Sequence, residues 1–321
     1  MRAARFVIPI LLIVLCAAPA AFARTLPEVQ ALVDAKASGA LAAAEALARE
    51  TPDDANAWVM LTRARMQAKQ AEKAIDSGEK ATALSPKNAQ AFYWLGNAYG
   101  NRIGEVGMLS KMTMAPKLRD AFEQAVKLDP ALLDARSSLI EFYLQAPGAI
   151  GGGIDKARAQ ATAIGKYDRL KGLMAQARIA IYEKKPADAV KAYESAYALK
   201  PGDPQLRQAL IVGYQEAKRW TDAYRMIKAW IAEEPESNTA QYQLGRVAAV
   251  SGQYLGEGEA ALRAYMKMPR KKDDPQPKNV QYRLGQVLAR AGRKEDARAA
   301  FQAALKLDPK FKDARDALAA L

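Results

Sequence analysis

Apolar and small residues along this chain recur with the three-to-four-residue step of a helix, and the helices recur in pairs. Phe92, Leu95 and Tyr99 stand at i, i+3 and i+7, one stripe on one helix. Leu284-Gly285, Gly292, Ala297, Phe301, Ala304 and Pro309 repeat that stripe and add a second helix after a turn. Further copies run through Trp58, Leu61, Ala74, Ala81 and Pro86, through Ala189, Tyr193, Ala196 and Pro201, and through Leu210, Tyr214, Ala223 and Pro235. A helix does not continue unbroken through proline, so the prolines mark where each pair ends. They fall at Pro52, Pro86, Pro130, Pro201, Pro235, Pro275 and Pro309, and three of the six gaps are 34 residues. Alanine is plentiful while Val and Ile are sparse after the first 20 residues, which favours helix over strand.

The small and apolar positions of this 34-residue unit resemble the tetratricopeptide repeat family, and the resemblance covers nearly all of the chain from about Leu26. It implies an all-α, right-handed superhelical solenoid whose first helices line a concave groove. One helix pair cannot bury its own apolar face, so stability must come from stacking on neighbours. The glycines at 96, 245 and 285 are expected to admit a neighbouring helix. The expected organisation is an export signal over 1–23, a shortened helical pair over 24–54, about seven repeats over 55–309, and a capping helix over 310–321.

The period breaks in three places, near 101–116, 146–154 and 254–275, and insertions of this kind map to loops. The first carries Met108, Leu109, Met112 and Met114 and is expected to be an adaptable, Met-rich loop. In the second, Ala146-Pro147-Gly148 leads to Gly151-Gly152-Gly153, and similar insertions occur in a group of exported bacterial repeat proteins. Three glycines before a helix can present N–H groups to an anion, but no Lys-Ser/Thr pair follows and no strand precedes, so a plain turn is expected. The third, Pro269 to Pro275, reads as a solvated turn.

The N-terminus changes the picture of where the chain works. Arg2 and Arg5 precede an apolar run from Phe6 to Cys16, and Ala21-Phe22-Ala23 offers small residues for cleavage, the pattern of a secretory signal. A bilayer span takes about 20 apolar residues, more than this run supplies. A periplasmic or secreted protein is expected, the alternative being an anchor formed by uncleaved residues. Cys16 is the only cysteine and histidine is absent. A chain cleaved after Ala23 therefore has no thiol and no imidazole, the commonest nucleophile, base and metal ligands. The formal charge is +13. Outside the cytosol it points to acidic protein segments, anionic polymers or a membrane surface, not to nucleic acid.

Adjacent carboxylates at Asp53-Asp54, Glu233-Glu234 and Asp273-Asp274 sit in turns, where they cap helices more readily than they catalyse. No enzyme activity, metal or cofactor is expected. The resemblance implies a groove stripe made of Arg63, Tyr93, Asn97, Arg178, Tyr242, Arg246, Tyr282 and Gln286. Arginine and tyrosine are frequent interface anchors, and the amides suit a peptide backbone. The expected function is a non-catalytic scaffold of the cell envelope that captures a peptide or helix of another, acidic protein. The alternatives are an assembly factor for cytochrome c or a secretion system, and a binder of anionic envelope polymer or membrane surface. Nothing in the residues specifies an oligomeric state. N-terminal sequencing of the protein from the envelope fraction should begin near Arg24; a sequence starting at Met1 would identify an anchor instead.

Overall fold

The computed structural model describes residues 24–321, so the expected export signal lies outside the described residues. Among those residues there are seventeen α-helices, one short 3-10 helix and no strand. They follow as α1 (Leu26–Asp34) and α2 (Ala40–Glu50), α3 (Ala55–Gln67) and α4 (Ala71–Leu84), α5 (Ala89–Ile103) and α6 (Met108–Leu128). Next come α7 (Leu133–Gln145) and α8 (Ile154–Tyr167), α9 (Arg169–Tyr182) and α10 (Pro186–Leu199), α11 (Pro204–Glu216) and α12 (Trp220–Glu233). The series closes with α13 (Asn238–Ser251) and α14 (Leu255–Tyr265), α15 (Pro277–Arg290) and α16 (Lys294–Leu307), and α17 (Lys312–Ala319). The chain forms two compact units, one ending at Ala135 and the other running Arg136–Leu321. Each is an all-α stack of helical repeats.

Local chemistry places the helix ends. The first helix of most pairs opens with a side chain that accepts from its own first turn: Asp54 from the Asn56 amide at 2.8 Å, Asn88 from Ala91 at 3.2 Å, Asp168 from Lys171 at 2.9 Å and Asp203 from Gln205 at 3.0 Å. Such caps satisfy amides that a helix leaves unpaired. The turn inside a pair closes with a residue in the left-handed region, and here lysine does what glycine usually does. Lys69, Lys184 and Lys218 have φ of 57–58°. In each case the next amide reaches back to the helix, as Gln70 does to the Arg65 carbonyl at 2.9 Å.

The core is a ladder of small residues facing large ones. A Cβ placed on Gly285 would lie 2.5 Å from the Phe301 ring, and one on Gly96 2.5 Å from the Phe122 ring. A Cβ on Gly245 would fall 2.3 Å from Leu262. All three glycines are on first helices, and their partners are on the second helix of the same pair. Ala297 and Ala304 are fully buried on either side of Phe301. In the first unit Val29, Val33, Ala44, Leu47, Ala57 and Leu61 form one cluster spanning α1 to α3. In the second unit a cluster around Leu210, Ile227 and Leu244 is followed by another around Leu262, Leu284 and Phe301.

Two of the three breaks differ from the sequence expectation or sharpen it. The Met-rich segment is helix, not loop: α6 begins at Met108 and runs to Leu128 with Pro116 inside it. Helix-favouring Met and Leu residues lead into the second helix of the repeat and lengthen it at its N-terminus, while Pro116 sits in its third turn, where it removes one backbone bond and crowds the carbonyl four residues earlier. The connector shrinks to Gly104–Gly107. The glycine turn before α8 spends its amides internally. Gly151 donates to Gly148, Gly152 to Pro147 and Gly153 to Tyr143, at 2.9, 3.1 and 2.9 Å, so no N–H nest faces outward.

Ion pairs tie successive pairs of helices. Arg158 meets Glu183 at 2.5 Å, Arg219 meets Glu194 at 2.9 Å, Lys228 meets Glu257 at 2.7 Å and Arg293 meets Glu259 at 2.8 Å. Lys185 and Arg158 hold the Glu183 carboxyl below its ordinary value of 4.5, and Lys228 does the same for Glu257. Lys200 lowers Asp203 and Lys278 lowers Asp308 from 3.8. A carboxyl depressed in the folded state adds stability above its unfolded pKa and loses it as pH falls through the folded one. With no histidine in the chain, thermal stability should be nearly level between about pH 6 and 8 and decline below about pH 4. A melting midpoint that moves steadily across neutral pH would contradict this. The glycine contacts set a second expectation. Gly285→Ala should cost about 1–3 kcal/mol by overpacking, and adding Phe301→Leu should recover part of that loss in urea melts.

Candidate functional site

The exposed face of the first helices gathers the charged and aromatic side chains that the core leaves over. In the first unit it is built across α1, α3 and α5. Arg63 reaches from α3 over the indole of Trp94 on α5, its guanidinium carbon 4.6 Å from the ring centroid. The same guanidinium is ion-paired with Asp34, the last residue of α1. Tyr93 stands edge to face with Trp94 at 5.1 Å and also meets the Phe122 ring at 6.0 Å. Burial pushes the Tyr93 hydroxyl up from its ordinary pKa. One turn further, the Asn97 side chain donates to the Tyr93 carbonyl at 2.8 Å. The structure therefore brings Arg63, Tyr93 and Asn97 together and adds Trp94 and Asp34.

In the second unit the face is carried by α7, α9, α11, α13 and α15. Arg178 on α9 grips Glu141 on α7 through two bonds of 2.9 Å, the bidentate geometry that favours arginine over lysine. That grip holds the Glu141 carboxyl below its ordinary value. Arg246 on α13 pairs with Glu216, the last residue of α11, at 3.5 Å. Tyr242 is half-buried on α13 and packs on the last core cluster. On the adjoining α15, Gln286 donates to the Tyr282 hydroxyl at 2.9 Å and accepts from Arg283 at 2.8 Å. The Arg283 guanidinium lies over the Tyr282 ring at 5.4 Å. Burial raises the Tyr282 hydroxyl as well. Tyr242, Arg246, Tyr282 and Gln286 thus share two contacting helices, whereas Arg178 stands on α9 with Glu141.

Every arginine of the expected stripe is paired with a carboxylate from the preceding first helix. Asp34, Glu141 and Glu216 were not legible as site residues. Their only signal is a separation of about one repeat from each arginine, 29 residues for Asp34 and 37 for Glu141, and a chain with 35 acids offers many such spacings. The acids are also the outer partners in two of the three pairs. Arg63 is 14% exposed against 51% for Asp34, and Arg246 is 26% against 66% for Glu216.

The other sequence candidates are spoken for or lie elsewhere. Asp54 caps α3. Glu233 and Glu234 face Arg207, at 2.7 and 4.0 Å. Asp274 accepts from the Asn238 side chain at 2.7 Å and from the Lys271 amide at 2.6 Å. Met108, Leu109 and Met112 are exposed on the opening turns of α6 and Met114 is half-buried there. None of them lies on a first helix. No helix among the described residues is long and apolar enough to cross a membrane.

Residues 279–311 match a family described as Tetratricopeptide repeat, residues 180–248 a second of that description, and residues 63–101 one described as TPR repeat. Among curated proteins, none matches the chain. Solved structures similar to it include TTC0263, a thermophilic TPR protein of Thermus thermophilus, at 20% identity and a TM-score of 0.47, covering 59% of this chain and 95% of that one. A tetratricopeptide repeat protein of Parabacteroides merdae covers 91% of this chain and 95% of its own at 12% identity and 0.43. PilF of Pseudomonas aeruginosa covers 83% and 97% at 11% and 0.48. This chain is thus a helical-repeat protein that carries tetratricopeptide repeats at residues 63–101, 180–248 and 279–311.

Proposed function

We propose that the chain is a non-catalytic adaptor of the cell envelope that captures a segment of another protein on the exposed face of its first helices. Tetratricopeptide repeats are protein-interaction scaffolds, and this face supplies what an interface needs. It has half-buried aromatic rings at Tyr93, Trp94, Tyr242 and Tyr282, and arginines held in place by neighbours. Side chains already fixed by partners lose little further entropy on binding. The envelope location rests on the signal-like N-terminal residues.

The observation that carries the reading is the pairing of the stripe arginines. It also alters the partner expected from net charge. An acidic segment would meet Asp34 on the first unit, or Glu216 on the second, before it met the arginine beneath, and like charges repel. The free carboxylate oxygens instead suit backbone amides or lysine and arginine side chains, with apolar residues of the segment resting on Tyr93 and Trp94. The partner we infer is therefore a polar or basic segment with apolar anchors.

Substituting Tyr93, Arg178, Tyr242 or Arg246 by Ala, one at a time, should weaken capture of the partner from envelope extract. A central anchor contributes about 2 kcal/mol, a loss of roughly thirtyfold in affinity. Helicity by circular dichroism should stay at the wild-type level, with a stability loss of less than about 1 kcal/mol for the two arginine variants and about 1–3 kcal/mol for the half-buried Tyr93 and Tyr242 variants. Equal capture by the wild type and all four variants would place the binding surface elsewhere.

A further inference from the structure

The second unit has two edges of different chemistry. Its helices are joined by short connectors and pack on their sequence neighbours, so turns within repeats lie on one edge and turns between repeats on the other. On the between-repeat edge, four of the five second helices end in the same doublet, an exposed apolar side chain beside a lysine. These doublets are Lys166-Tyr167 on α8, Leu199-Lys200 at the end of α10, Met266-Lys267 at the end of α14 and Lys306-Leu307 on α16. The apolar members are 55%, 45%, 39% and 56% exposed. The fifth, α12, ends in Glu233 and Glu234, which turn onto Arg207.

A lysine at a helix C-terminus is favoured by the helix dipole, but that does not account for an exposed apolar residue beside it. Lys200 is paired with Asp203 at 2.8 Å. The other three lysines, and Arg169 at the start of α9, are exposed and make no side-chain ion pair or hydrogen bond among the described residues. The acids on this edge are mostly engaged: Asp168 caps α9, Asp274 holds Asn238 and Asp308 holds Lys278, while Glu236 and Asp273 face solvent. On the opposite edge Lys185, Arg158, Arg219 and Arg293 are each locked by carboxylates, leaving Lys184, Lys218 and Arg290 unpaired, and the exposed apolar side chains there, Ile181, Tyr182 and Val250, come from α9 and α13 alone.

We infer that the between-repeat edge of the second unit docks on an anionic phospholipid surface, with Tyr167, Leu199, Met266 and Leu307 entering the headgroup boundary and Lys166, Arg169, Lys267 and Lys306 meeting phosphates. This surface is separate from the first-helix face and leaves that face open. A folded acidic protein fits the edge less well. The apolar side chains are single and spaced by a whole helix pair, not gathered in a continuous patch as a protein interface requires. A bilayer boundary is deformable and accepts isolated anchors with a cation beside each one.

Co-sedimentation of the purified full chain with vesicles containing roughly a third anionic phospholipid tests the assignment. Binding should exceed that to neutral phosphatidylcholine vesicles by about tenfold or more and vanish near 0.5 M salt, as surface attraction is screened to within about 4 Å. Lys166→Glu, Arg169→Glu and Lys267→Glu together should lower partition by at least about tenfold. Lys184→Glu with Lys218→Glu, on the opposite edge, should change it by less than about twofold, with unchanged helicity in both variants. Tyr167→Ser with Leu307→Ser should lower partition at constant charge. Three results would overturn the assignment: equal binding to neutral vesicles, an equal loss from the opposite-edge variant, or full binding by the Ser variant with complete competition by soluble polyglutamate. The last would assign the edge to an acidic polymer.

Discussion

Three first helices are each held against the second helix of their pair at a distance set by an absent side chain. Gly96, Gly245 and Gly285 leave room for Phe122, Leu262 and Phe301 to lie against bare backbone. A side chain larger than hydrogen would meet those atoms at 2.3–2.5 Å, and nothing in a close-packed core absorbs that. The consequences run outward. Close pairs let Ala297 and Ala304 bury completely. Buried small residues let the next pair stack, and stacking is the only way an amphipathic pair hides its apolar stripe. The exposed first-helix face exists because every core residue has turned away from it.

That face is organised by electrostatics between neighbouring first helices. Each stripe arginine is held by an acid about one repeat upstream, so the face is preset before any partner arrives. Exposed ion pairs contribute little to stability; their effect here is on orientation. They place three guanidinium groups, two of them under carboxylates, and fix Arg63 across Trp94. A protein with a formal charge of +13 thereby offers acids on the surface where its basic side chains were expected to lead. Net charge counts residues, whereas a binding partner meets only the atoms on the outside.

The breaks in the period show the same division between what is local and what is not. At residues 148–153 the turn consumes its own amides, a matter of local backbone geometry. At residues 108–116 the extra residues join α6 and lengthen it. There Met and Leu carry helix propensity as well as adaptability, and helix was the state that prevailed. Lysine in the left-handed turn position at Lys69, Lys184 and Lys218 is a further local departure, a strained choice that leaves a cation where glycine would leave none.

The helical class, the pair as the repeating unit and the small-against-large core were legible in the residues, as were the prolines that close the pairs, whereas the start of α6 was not. The legible features depend on interactions within about one repeat, and those have a fixed spacing along the chain: i, i+3 and i+7 for a stripe, 34 residues for a stack, a capping side chain before most first helices. The candidate site was only partly legible. Tyr93 and Asn97 follow from helix phase, as do the positions of Arg63, Arg178 and Arg246. The carboxylates on those arginines, the indole under Arg63 and the amide on Tyr282 did not, because side chains from different helices meet at distances that depend on crossing angle and rotamer. A run of residues specifies which face a side chain is on. Only packed neighbours decide what it touches there, and hence whether its charge is available to anything else.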